Sequence, residues 1–259
     1  MSNPSIDLNI EGNVAVLTMN NPPANTWTQD TLTALKDTVT ELNANKNVYA
    51  LVITGQGEKF FSAGADLNVF ASGDKGVAAT MSKVFGDAFE ALTNFRGVSI
   101  AAINGYAMGG GLEVALACDI RIAEEQAQMA LPEAKVGLLP CAGGTQNLAW
   151  LVGEGWAKRM ILCGERLKAD KAREIGLVEE VVGAGESLAA AMKLANQVGE
   201  QSPVAVTACK ELIQKGRTQP MSHVLPLERE LFVQLFDTQD QKEGVNAFLE
   251  KRKANWVNG

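Results

Sequence analysis

Glu113 and Glu133 stand twenty residues apart, each beside a glycine-rich turn. The first lies in NGYAMGGGLEVALACD, residues 104–119, where three glycines run into a mostly apolar segment. The second lies in ALPEAKVGLLPCAGGTQ, residues 130–146, directly after Pro132 and among Met129, Leu131, Val136 and Leu138. Two carboxylates in low-polarity surroundings suit general acid–base chemistry. Burial raises the pKa of at least one of them and keeps a proton available near neutrality. Spacing alone fits two plainer roles as well: an acid at Glu113 complements the positive end of a helix dipole, and Glu133 on a loop is solvated.

The glycines before Glu113 sit between a buried-strand pattern, VSIAAI, and a helix-prone one, LEVALACD. A strand-to-helix turn of glycine lets a ligand approach the main chain closely. It also presents the unpaired N–H groups of a helix's first turn, which hold an oxyanion or a phosphate. The pattern is not GxGxxG and no GK[ST] follows, so a nucleotide phosphate is not its natural ligand.

The elements that must position these residues alternate. SIDLNIEGNVAVLTMN predicts two short strands around an EGN turn, and NPPANT a loop. Leu32, Leu35, Val39 and Leu42 mark a helix capped by Thr28 or Asp30. VYALVITG reads as a strand, KFFSAGADLNVF as a short extended piece with a glycine turn, and residues 78–95 as an amphipathic helix. GVSIAAING and DIRIAEE are further strands. GGTQNLAWLVGEGWAKRMILCG predicts a helix in two pieces broken at GEG. KADKAREIGLVEEVVG predicts a short helix then a strand, and ESLAAAMKLANQVGEQSP a helix closed by Pro203. The result is an α/β core over residues 1–200 that holds the site, and a C-terminal helical region over 201–259.

Composition narrows the class. The 259 residues carry a net charge of −7, a pI near 4.9 and 46% hydrophobic residues. An acidic chain lacks the footprint of a nucleic-acid binder. No apolar run reaches the length of a membrane span. Cys118, Cys141, Cys163 and Cys209 form no CxxC pair and have no histidines at metal spacing, so no metal site is expected. The one histidine, His223, has Pro220 and Pro226 nearby and reads as structural or exposed. MSNPSIDLNI lacks a signal pattern, and a cytoplasmic location is expected.

FSAGADL, INGYAMGGGLEVALACDIRIA, LPEAKVGLLPCAGGTQ and EGVNAFLEKRKANW together resemble the crotonase (enoyl-CoA hydratase/isomerase) superfamily, in its block order and over nearly the whole chain. The resemblance implies a spiral of repeated ββα units followed by a C-terminal helical trimerisation region. It implies a thioester oxyanion hole of two backbone N–H groups, at Ala65 in SAGAD and Gly110 in GGGLE. It implies that Glu113 helps activate the water that adds to C3 and that Glu133 delivers a proton to C2. Many relatives that are not hydratases lack one of these two acids, so hydration of a trans-2-enoyl-CoA to the 3-hydroxyacyl-CoA, of the fatty-acid β-oxidation type, is favoured. An isomerase or another enolate-stabilising acyl-CoA enzyme of the superfamily is the alternative.

The remaining expectations also rest on the resemblance. Ala63, Asp66 and Leu67 lie beside the adenine and pantetheine of coenzyme A, which is part of the substrate; no separate cofactor is implied. Lys59, Lys251 and Lys253 are candidates for the phosphates. Residues 68–85, with Val69, Phe70, Val77 and Met81, and the loop around Leu138 line the acyl pocket. Gly143 and Gly144 shape the loop of Glu133. The partner is another copy of the chain, in a homotrimer or a hexamer; the C-terminal apolar stripe Val224, Leu227, Leu231, Leu235 and Phe236 needs a covering surface. Three departures stand out: Arg96-Gly97 where relatives often carry Pro-Lys-Pro, Cys141 where many carry glycine, and the proline pair with Trp27 in NPPANTW.

Overall fold

A computed structural model describes residues 5–259. Of the N-terminal stretch read above, residues 1–4 lie outside the described residues. The chain opens with an antiparallel hairpin, β1 (Ile6–Glu11) and β2 (Val14–Met19), turning at Gly12 with φ +59°. α1 (Gln29–Ala44) follows. Thr28 caps it: its Oγ1 accepts from Thr31 N at 3.3 Å, and Thr31 Oγ1 accepts from Thr28 N at 2.8 Å. The expected stripe of Leu32, Leu35, Val39 and Leu42 is its buried face.

Three units of the same plan come next. They are β3 (Ala50–Gly55), β4 (Phe60–Ser62) and α2 (Lys75–Thr93); β5 (Val98–Ile103), β6 (Tyr106–Met108) and α3 (Gly110–Ala117); and β7 (Ile120–Glu124), β8 (Gln128–Ala130) and α4 (Gly144–Leu162). Then come β9 (Leu167–Lys168), α5 (Ala169–Glu174), β10 (Glu180–Val182) and α6 (Ser187–Val198). The first strand of each unit joins a six-stranded sheet ordered β1-β2-β3-β5-β7-β10; the second joins a four-stranded sheet ordered β4-β6-β8-β9. This is the repeated ββα spiral that the resemblance implies.

The large sheet is covered on both faces, so its strands read as continuous apolar runs. Leu51, Ile53, Ala101 and Ile103 face the main core with α1, α2 and α3. Val52, Ile100, Ala102 and Ile122 face Ala191 and Ala195 of α6. The strands β6, β8 and β9, two or three residues long, were not expected; that length is too short to show a two-residue period. The GEG break is present, with Gly153 at φ +75°, ψ 161° inside α4. Pro203 does not close α6. Gly199 caps that helix, and Ser202 caps α7 (Pro203–Lys215), with the proline in its first turn, where a missing N–H costs nothing.

α8 (Met221–Gln234) and α9 (Gln239–Glu250) complete the helical region. In the expected stripe Val224 is buried, Leu227, Leu231 and Leu235 are half-buried, and Phe236 is exposed beside Phe232 and Val233. His223 is exposed. Among the described residues no helix is long and apolar enough to cross a membrane. α7 is fastened to the core by Lys210, whose Nζ donates to Phe95 O (2.6 Å), Gly97 O (3.0 Å) and Asp119 Oδ2 (2.7 Å). Removing one partner of a largely buried pair strands the other. Lys210→Met is expected to lower unfolding stability by about 3 kcal/mol, read from urea denaturation.

Candidate active site

Gly109 ends β6 in a left-handed conformation, φ +53°, and its N–H donates to Ala130 O of β8 at 2.9 Å. That turn starts α3 at Gly110, whose N–H has no acceptor within its own helix. α3 lies so close to β4 that a β-carbon at Gly111 would sit 2.1 Å from Ser62 O. A β-carbon at Gly64 would sit 2.6 Å from Met108 O and 3.0 Å from Gly110 N. Residues 62–65 of one unit are thus pressed against 108–111 of the next. On the other side Trp27 N donates to Gly64 O (2.8 Å) and Asp66 N donates to Trp27 O (3.1 Å), which leaves the Ala65 N–H out of the pairing. Among the described residues neither the Ala65 nor the Gly110 N–H meets a protein acceptor. Both residues line one cavity of about 310 Å³.

Glu113 and Glu133 line the same cavity. Glu113 is 2% exposed, and its Oε1 accepts from Ala142 N (2.8 Å) and Gly144 N (2.9 Å). Burial raises its pKa, and the N–H groups of Gly144 and Ala142 oppose that rise. Glu133 opens a 3-10 turn, Glu133–Val136, held by Lys135 N donating to Pro132 O at 3.0 Å. Both of its carboxyl oxygens are buried, and among the described residues no other residue donates a hydrogen bond to them. Burial pushes Glu133 up to about 7; its own backbone N–H opposes this, and the charge of Glu113 adds to it. Near neutrality such a pair can share a water and trade protons. Two unengaged N–H groups beside it can hold a developing oxyanion.

The other expected residues divide. Ala63, Leu67 and Leu138 line the cavity, the last two with apolar surface open to solvent. Asp66 does not; its Oδ1 accepts from Asn68 N (3.0 Å) and caps the 3-10 turn Leu67–Phe70. Lys59 is exposed, with Nζ 5.3 Å from the Phe60 ring centre, and Lys251 and Lys253 are exposed beyond α9; none of the three lines the cavity. Arg252, between them, is paired with Glu243 and Glu250.

Of the acyl-pocket candidates Phe70 lines the cavity, whereas Val69, Val77 and Met81 line a separate hollow of about 400 Å³. The member of the α2 stripe that reaches the cavity is Phe85, one turn further along than Met81. A helical stripe shows which face is buried but not which part of it meets a cavity. The turn at Gly143 and Gly144 opens α4, and Gly144 N also donates to the Glu113 carboxylate. Lys135 also lines the cavity; it stands alone between apolar residues, a pattern that carries no sequence signal. The Arg96 guanidinium donates to Asn43 O, Asn45 O and Val48 O.

The chain belongs to the enoyl-CoA hydratase/isomerase family, whose model matches residues 9–259. It is 40% identical over 258 residues to the short-chain-enoyl-CoA hydratase of Clostridium acetobutylicum, covering 96% of each chain. It is similar to a solved structure of Pseudomonas aeruginosa DspI, at 63% identity and a TM-score of 0.97, covering 99% of this chain and 98% of that one. It is also similar to a crystal structure of enoyl-CoA hydratase from Bacillus anthracis, at 35% identity and a TM-score of 0.95, covering 98% of this chain and all of the other.

The raised pKa of Glu133 has a measurable sign. A carboxyl that binds its proton more tightly when folded contributes stability that is complete below the unfolded value, near 4.5, and lost as pH rises through about 7. Glu133→Gln removes that penalty. The variant is expected to be more stable than wild type at pH 8, by on the order of 1 kcal/mol after solvent screening, and no more stable at pH 4.5. Urea denaturation at the two pH values checks this.

Proposed function

We propose that the chain is an enoyl-CoA hydratase, a hydro-lyase that reversibly adds water to a trans-2-enoyl-CoA to give the 3-hydroxyacyl-CoA. The observation that carries this reading is the meeting of two unengaged N–H groups and two buried carboxyls in one apolar cavity. The thioester oxygen accepts from Ala65 and Gly110, which draws electrons from the C2–C3 double bond. Glu113 takes a proton from the water as its oxygen bonds to C3. The displaced electron pair rests on the thioester oxygen, held by the two N–H groups. Glu133, protonated, then gives its proton to C2 and restores the carbonyl. In reverse, Glu133 removes the C2 proton and Glu113 returns one to the leaving hydroxyl. Coenzyme A belongs to the substrate, and these steps call for no further cofactor and no metal.

The apolar residues at the mouth, Leu67, Val136, Leu138 and Leu139, suit the pantetheine and acyl chain. Lys135 and the exposed Lys59 are cations for the phosphates. Lys251 and Lys253 lie off their own chain's cavity, so in this reading they serve a neighbour's site in a homotrimer or hexamer that covers Phe232, Phe236 and Phe248. The setting is fatty-acid breakdown in the cytoplasm.

Glu113→Gln and Glu133→Gln are each expected to lower kcat for crotonyl-CoA hydration by roughly 100- to 10,000-fold with the circular dichroism spectrum unchanged. The loss of enoyl thioester absorbance measures this, and near-full activity in either variant would sink the two-carboxylate mechanism. In wild type kcat for hydration is expected to fall above about pH 7, where Glu133 loses its proton. An isomerase would instead exchange the C2 proton with solvent deuterium without net loss of the enoyl chromophore.

A further inference from the structure

We infer that Asn25 and Ser62 are positioning residues for the Ala65 amide, an assignment that rests on the hydratase reading above. Residues 24–27 run beside 60–66, and the bonds between them occupy every amide around Ala65 except its own. Ala63 N donates to Ala24 O at 2.9 Å. Ser62 Oγ donates to Asn25 O at 2.7 Å and accepts from Gly64 N at 3.2 Å. Trp27 N donates to Gly64 O at 2.8 Å, and Asp66 N donates to Trp27 O at 3.1 Å.

The planarity of the peptide bond turns these contacts into an aiming device. The carbonyl of Gly64 and the N–H of Ala65 belong to one planar, trans unit, so they point in opposite directions. Fixing the carbonyl on Trp27 N therefore aims the N–H away from Trp27. Holding Gly64 N on the Ser62 hydroxyl fixes the preceding peptide as well, so the unit cannot rock about its ends. The register of the whole strip is set at Asn25. That residue adopts the left-handed conformation, φ +52°, which asparagine tolerates better than most side chains. It is 4% exposed. Its Nδ2 donates to Gln56 O (3.0 Å), Phe60 O (2.9 Å) and Phe61 O (3.3 Å), and its Oδ1 accepts from Asn21 N (3.3 Å). One side chain thus ties its own loop to the strand that leads into the Ala65 turn. Ser62, fully buried, passes that fixed position on through one hydroxyl.

These contacts would also serve a purely structural purpose, so the test reads the carbonyl itself. Cinnamoyl-CoA carrying a para-dimethylamino group absorbs at longer wavelength when its thioester carbonyl is polarised. Wild type is expected to shift this chromophore to the red on binding. Ser62→Ala removes one hydroxyl and no volume beyond it. It is expected to bind the chromophore with Kd within threefold of wild type, to show a clearly smaller red shift, and to lower kcat for crotonyl-CoA by roughly 10- to 100-fold. Asn25→Asp keeps size and tolerance of the left-handed backbone but faces three carbonyls with an acceptor; the same loss of shift is expected of it, measured on folded protein after a thermal melt. Glu113→Gln is expected to keep the shift. A folded Ser62→Ala protein with the full shift and full kcat overturns the assignment, as does one whose kcat falls while the shift stays. A wild type that shifts the chromophore without hydrating crotonyl-CoA sinks the hydratase reading and leaves the positioning role standing. A wild type that binds without any shift overturns both.

Discussion

Two stretches of backbone, 62–65 and 108–111, touch with no space for a β-carbon between them, and the site depends on that contact. It follows from strand pairing. β4 and β6 are parallel neighbours in the small sheet, so the residues that leave their ends travel side by side. Where the chain turns out of each strand, an N–H is left without a partner among the described residues, once at Ala65 and once at Gly110. A side chain at position 111 would meet the Ser62 carbonyl and push the strips apart. Any group wedged there separates the two N–H groups that the proposed mechanism aims at a single oxygen.

The same architecture sorts the two acids. Glu113 rides on the helix that begins at Gly110 and is met by two N–H groups from the start of α4. Glu133 sits on a short turn beyond β8, where among the described residues no other residue donates to its carboxyl oxygens. One carboxyl is solvated by the backbone and the other is not, though both are taken out of water. Burial, to which the charge of the first acid adds, sets the second near neutrality. Two identical side chains acquire different proton affinities from where the chain delivers them after β6 and β8.

Much of this is written in local sequence. The apolar runs of β3 and β5, the Thr28 cap and the GEG break obey rules that act within a few residues. The glycine blocks are legible for the same reason, since a crowded turn admits no other residue. Other features depend on distant chain. β6, β8 and β9 are defined by their partners and carry too few residues to announce themselves. Phe85 and Met81 belong to one helical stripe, yet only one reaches the cavity, and the choice is made by what packs beyond them. Asn25 in NPPANTW looks like a turn former; its three carbonyl partners, 31 to 36 residues away, are visible only in the fold.

In the proposed mechanism the oxyanion donors are main-chain groups, whereas side chains, among them Leu67, Phe70, Phe85, Leu138 and Leu139, form the cavity wall. The wall residues take no part in the bonds that align Ala65 and Gly110. Polarisation of the thioester and acyl preference are therefore separately heritable. Mutation can reshape the room around the acyl chain while the pair of main-chain N–H groups, having no side chain to lose, passes unchanged from one lineage to the next. A scaffold divided in this way can change its substrate in small steps without passing through an inactive ancestor.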